Sequence, residues 1–314
     1  MTAASARHRL LNLVQSALLL GLMAALAWVS VTVILGPGTG LLVALGMVAG
    51  LFLAPDLSRR MLLSAYRAQR LTGREAPGLV AALAELARRA GLPCTPALYR
   101  VPSRLPNAFA MGSPEDSTIC VTDGLFEILD GRELASVLAH EIGHIAHRDL
   151  WIMGLADVMS RLVSLASWVG QFLLLLNLPL VMAGMVHVPW SVVVLLIFAP
   201  TLMALVQLGL SRTREYDADR AAAELTGDPD GLVRALVKLE RRVGRFWEEI
   251  LLPGRRIPEP SLLRTHPPTE SRIRRLRALV TGRTTPIPAL VGYPTARIPL
   301  GGTPPRFHRL GHYW

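Results

Sequence analysis

His140-Glu141-Ile142-Gly143-His144 is the stretch from which the rest of the chain is read. On an α-helix, residues four apart share a face about one turn apart, so both imidazoles reach a single cation. Zinc suits that pair, because it accepts imidazole nitrogen and is content with three protein ligands and an open fourth position. Glu141 stands beside the histidines, placed to take a proton from water that the cation activates. The flanks favour a helix. Asp130 and Glu133 read as a capping pair, and Leu134, Val137, Leu138, Ile142 and Ile145 form an apolar stripe away from the histidines. The alternative is a solvated His/Glu face on an ordinary helix.

A third ligand is needed, and spacing excludes one source. The metzincin pattern asks for Gly at 147 and His at 150, where this chain has His147 and Leu150. His147 reads as a surface residue or a neighbour of the shell. No Asp or Glu occurs between residues 158 and 214, and the first carboxylate beyond that gap is Glu215. Glu215 is therefore the candidate ligand, a solvated acid–base helix being the alternative. Asp219 follows by four, on the same face, where it can accept a hydrogen bond from the outer nitrogen of a ligating histidine.

Together these residues resemble the HtpX-like membrane metallopeptidases, a gluzincin-type family related to the CaaX prenyl endopeptidases. The resemblance covers most of residues 1–280. It rests on H-E-I-G-H, on the S-R-x-x-E-x-x-A-D pattern at 211–219 after two hydrophobic segments, and on the run from His266 through Pro267 and Pro268 to Arg272. It implies one Zn2+ per chain held by His140, His144 and Glu215, with Glu141 as the base. It also implies that Asn107, Ala108, Phe109 and Ala110 line the cleft, where an edge strand would pair with an extended peptide; a plain scaffold hairpin is the alternative. His266 is expected either to stabilise the oxyanion or merely to precede a helix starting near Thr269. Arg272 is expected to pair with Asp219 or Asp217.

Composition fits a membrane protein. The 314 residues are 51% hydrophobic with a mean hydropathy of +0.39, and net charge is +10. All 33 basic residues except Lys238 are arginine, but no nucleic-acid-binding module accompanies them, so nucleic acid is excluded and a membrane surface is the better partner. Cys94 and Cys120 are isolated and fit free thiols on a reducing face.

Two apolar blocks organise the chain. Residues 10–35 are long enough to span a hydrocarbon core of about 30 Å, and 41–54 form a shorter second span after a Gly/Pro break. Residues 162–210 hold two further spans around a loop marked by Pro179 and Pro189. Arginines flank both blocks outside, which places both ends in the cytosol. Asp157 and Arg161 are read as lying where the zinc helix enters the interface. Helical periodicity also marks residues 79–90 and 230–250, and strand patterns mark 97–101 and 117–122.

The expected architecture is mainly α: integral membrane helices plus a cytosolic helical metallopeptidase domain with a small β-sheet. Its parts are a transmembrane hairpin (1–57), a first catalytic part with the zinc helix (58–161) and a second hairpin (162–210). A second catalytic part with Glu215 follows (211–280), then a Pro/Arg-rich tail without a packed core (281–314). The expected protein is a multi-pass inner-membrane zinc endopeptidase. Family resemblance implies misfolded or damaged membrane proteins as its polypeptide substrates, with anionic lipid at the inner leaflet as a second partner. The alternatives are a silent membrane scaffold with a structural zinc site, and a processing protease for particular membrane or prenylated proteins.

Overall fold

The computed structural model describes residues 3–36, 38, 61–185, 187–250 and 269–279. Its elements run α1 (Ala3–Leu35), β1 (Gln69–Arg70), α2 (Pro77–Arg89), β2 (Ala97–Val101), β3 (Ala108–Ser113), β4 (Asp116–Thr122) and α3 (Asp123–Ile128). Then come α4 (Gly131–Ala146), α5 (Asp149–Leu176), α6 (Leu178–Met182), α7 (Trp190–Thr226), α8 (Pro229–Ile250) and α9 (Thr269–Arg277). The chain divides into two units, and one dividing point falls inside α7, between Asp217 and Ala218.

The first unit is built from apolar helices. Val14–Val33 of α1, all of α5 and all of α7 are long and apolar enough to cross a membrane. Each buries only a narrow stripe. Met23 and Ala27 of α1 meet Ala156, Met159 and Val163 of α5 and Ala199, Met203, Val206 and Leu210 of α7 in one cluster. The remaining faces are apolar and exposed, as at Trp168, Phe172, Phe198 and Leu205. A patch of that size is unfavourable against water and favourable against hydrocarbon. Three of the four expected spans thus lie within described helices; the second, at 41–54, lies outside the described residues.

One boundary differs from the expectation. The third span was expected to begin near residue 162, with the zinc helix running on towards it. Instead α4 stops at Ala146 and α5 starts at Asp149, because Arg148 takes a left-handed conformation (φ 57) between them. Asp157 and Arg161 therefore sit on α5 rather than on the zinc helix, paired i,i+4 at 2.7 Å. At the other end α7 continues unbroken past residue 210, about 55 Å in all, so Glu215 rides on the same rod as the span before it.

The second unit packs helices on a four-stranded sheet of order β1-β2-β4-β3, parallel only between β2 and β4. Leu98, Ile119, Val121, Ala108 and Ala110 share one face by register. On the other face, Val101, Met111 and Cys120 pack with Tyr66, Tyr99 and Phe109. Leu79, Leu83 and Leu86 of α2 and Leu134, Leu138, Ile142 and Ile145 of α4 are fully buried. The β3–β4 hairpin is tight because Gly112 adopts φ +97, where a Cβ would meet the Asp116 carbonyl oxygen at 2.1 Å. This leaves β3, with Ala108, Phe109 and Ala110, at one edge of the sheet.

Candidate metal centre

A capping box starts the helix that carries the histidines. The Asp130 carboxylate accepts from the Glu133 N–H at 2.9 Å, and the Glu133 carboxylate accepts from the Asp130 N–H at 2.9 Å. Two otherwise unpaired N–H groups are satisfied together, which sets the register of everything downstream. The buried Glu133 also takes Lys238 of α8 at 2.6 Å. Ten residues after Asp130, His140 and then His144 emerge on one face.

Their geometry is that of a ligand pair. The two Nε2 atoms are 3.2 Å apart, with the rings edge to face at 88°. Two nitrogens bound tetrahedrally at 2.0–2.1 Å from zinc stand about 3.3 Å apart, so the pair is already at the required spacing. A carboxylate oxygen of Glu215 completes the group: the three donor atoms lie within 4.8 Å of one another, and all three residues are buried. Two imidazoles and a carboxylate are the donor set zinc favours in hydrolytic sites.

The surrounding residues select which nitrogen faces inward. Asp219 Oδ1 lies 3.1 Å from His140 Nδ1, which leaves Nε2 as the coordinating atom. Arg272 of α9 donates to both oxygens of Asp219, from Nε at 2.8 Å and from Nη2 at 2.5 Å. The expected pairing of Arg272 with Asp219 is therefore present. Glu141 is 3% exposed, on the same helix and between the two histidines.

Close helix approach brings these side chains together, and Gly143 permits it. A Cβ there would stand 3.1 Å from Ala221 Cβ and 3.2 Å from Ala218 Cα, tighter than ordinary side-chain packing. In the sequence, Gly143 is visible only as part of the H-E-I-G-H motif. An isolated glycine inside a strong helical pattern is the available signal, and its neighbours are the small residues Ala218 and Ala221.

The remaining candidates are placed as follows. Asn107 is buried and donates its N–H to Thr122 Oγ1 at 2.8 Å, while Phe109 packs tilted against Tyr66 with centroids 5.6 Å apart. His147 is exposed at the C-cap of α4. His266 lies outside the described residues. Cys120, on the central strand β4, was not singled out for the site. Its thiol is pushed up to about 12, first by burial and then by the negative charge of Glu141, so it is held as a neutral thiol.

Known proteins share this arrangement of sequence. The pattern of peptidase family M48 matches residues 74–280. The Protease HtpX homolog of Acidiphilium cryptum (strain JF-5) is 38% identical over 286 residues, covering 85% of this chain and 96% of its own. That of Persephonella marina (strain DSM 14350 / EX-H1) is 36% identical over 281 residues, covering 85% and 96%. Among solved structures, the crystal structure of S. mikatae Ste24p aligns with a TM-score of 0.45 at 20% identity, over 86% of this chain and 66% of that one. With the family pattern spanning the histidine pair, the carboxylate helix and α9, and with relatives matched over nearly their whole length, the chain belongs to peptidase family M48 as an HtpX-like member.

Proposed function

We propose that the protein is a zinc-dependent endopeptidase of the inner membrane, its catalytic residues on the cytosolic side, hydrolysing peptide bonds of misfolded or damaged membrane proteins. The observation that carries the reading is the buried group of His140, His144 and Glu215 with an intact Glu141 between the histidines. A purely structural zinc site does not need that fourth side chain.

Zinc, when bound, supplies a Lewis acid that polarises the scissile carbonyl. His140 and His144 would hold it through Nε2, and Glu215 through a carboxylate oxygen. Asp219 keeps the His140 proton on Nδ1, and Arg272 holds Asp219 in place. A Glu141 carboxylate oxygen takes the proton of the attacking water and passes it to the nitrogen of the leaving amine. His266 is retained as a donor to the developing oxyanion on the strength of the resemblance.

Substrate would add to the sheet at β3. Asn107 turns its backbone N–H and C=O towards Thr122, and main-chain direction alternates along a strand. The outward-facing groups therefore belong to Ala108 and Ala110. Main-chain pairing there gives affinity with loose side-chain preference, which suits a protease for many unfolded sequences. Anionic lipid at the inner leaflet is the proposed partner of the arginine-rich tail.

Proteolysis of an unfolded membrane substrate, comparing wild type with Glu141→Gln, tests the reading. Glu141→Gln is expected to keep its zinc and lose at least about 100-fold in rate, since it removes a general base and spares the ligands. Cleavage at the wild-type rate contradicts the mechanism, and wild type with zinc but no cleavage supports a silent scaffold.

A further inference from the structure

A buried ion pair joins the first residue of α5 to α7. After α4 ends at Ala146, Arg148 takes φ 57, an uncommon conformation for a residue with a Cβ. Such a conformation persists where the surroundings over-determine it. The next residue, Asp149, has a side chain only 1% exposed and accepts from Arg214 Nη1 at 3.2 Å. Arg214 is itself buried, at 5%. The positions matter: Asp149 comes five residues after His144, and Arg214 immediately before Glu215.

Two buried charges of opposite sign are tolerable only when paired, so each holds the other's segment in place. Neighbouring residues on a helix leave the axis about 100° apart, so fixing Arg214 also aims Glu215. A glutamate carboxylate reaches about 6 Å from the helix axis, and rotating the helix by about 20° moves it by about 2 Å. Metal–ligand distances tolerate about 0.2 Å. On the far side of Glu215, Asp219 is held by His140 and Arg272. Glu215 is thus bracketed, by Arg214 one residue before it and by Asp219 four residues after.

We propose that Asp149 and Arg214 form a positioning pair that sets the rotation of α7 and so aims Glu215 at the cation held by His140 and His144. The inference rests on the zinc reading above.

Zinc affinity of the full-length apo protein in detergent, read by competition with a chromogenic chelator, separates positioning from stability. Arg214→Gln and the isosteric Asp149→Asn each weaken zinc binding about 10–100-fold, as outer-shell changes do. The double variant is no weaker than the worse single variant, because both break one interaction. Arg214→Lys recovers part of the loss. Arg100→Gln breaks the buried pair with Asp123 in the sheet, where side-chain exposures are 7% and 17%. It lowers the melting temperature and leaves zinc affinity unchanged. The pair's role is overturned if Asp149→Asn and Arg214→Lys both bind zinc as wild type does, or if Arg100→Gln loses affinity to the same extent. Wild type that binds no zinc overturns the zinc reading and the inference with it.

Discussion

Helices α4 and α5 are separated by two residues and live by opposite rules. Every residue of α4 from Glu133 to Ile145 is buried, polar or not. Of the 28 residues of α5 only Asp149, Ala156, Met159, Val163, Ser167 and Gly170 are buried, a single stripe of mostly small side chains. Both helices are rich in apolar residues. What separates them is the width of the buried face and the fate of the rest. In α4 the rest is packed against protein, so His140, Glu141 and His144 must be satisfied by neighbours or a cation. In α5 the rest faces outward and stays apolar, which suits lipid, and its exposed charges Asp157 and Arg161 pair with each other.

Glycine substitutions should break this contrast most sharply. Gly143→Leu on α4 places a branched side chain where even a Cβ stands 3.1 Å from Ala221 and 3.2 Å from Ala218. The helices must separate by more than a zinc shell tolerates, so zinc content should fall below about one tenth of wild type. Gly154→Leu on α5, where a Cβ meets nothing within 4 Å, should keep full zinc. Metal analysis of the two purified variants checks this, and equal zinc in both contradicts it.

Leucine truncations come next. Leu138→Ala removes a fully buried side chain of α4 and should cost about 2–5 kcal/mol in detergent unfolding. Leu175→Ala, 67% exposed on α5, should stay within about 0.5 kcal/mol. Equal losses would mean that the outer face of α5 is packed against protein.

The smallest effect concerns the two thiols. Cys94 is exposed, whereas Cys120 is buried with its thiol pushed up to about 12. At pH 8 an alkylating reagent should modify Cys94 and leave Cys120 untouched until the protein is denatured, because thiolate is the reactive form. Mass spectrometry after a timed pulse reads the outcome. Rapid labelling of native Cys120 would show that the face of the sheet carrying Tyr66 and Phe109 opens.

Much of this was legible in the residues, and the misses share a cause. The capping box at Asp130 and Glu133 and the stripe from Leu134 to Ile145 are local patterns, and α4 starts where they place it. Apolar length marked α1, α5 and α7, because spanning a bilayer is a one-dimensional demand. The break at Arg148 was not legible, since no glycine, asparagine or proline marks it. The conformation coincides with the Asp149–Arg214 pair, whose members are 65 positions apart. Gly143 behaves similarly: its reason is Ala218 on another helix. The edge position of β3 depends on strand order, which alternation of residues along one strand does not contain. The pairing of Arg272 with Asp219 likewise depends on burial of that carboxylate beside His140, on another helix.

Whether His140, His144 and Glu215 together hold one metal ion is read from the zinc stoichiometry of Glu215→Ala. Two histidines alone are an incomplete shell. Wild-type protein purified without chelator should carry about one zinc per chain, and Glu215→Ala should lose most of it while keeping its helical circular dichroism. Full zinc retention by folded Glu215→Ala would remove that carboxylate from the shell and contradict the account.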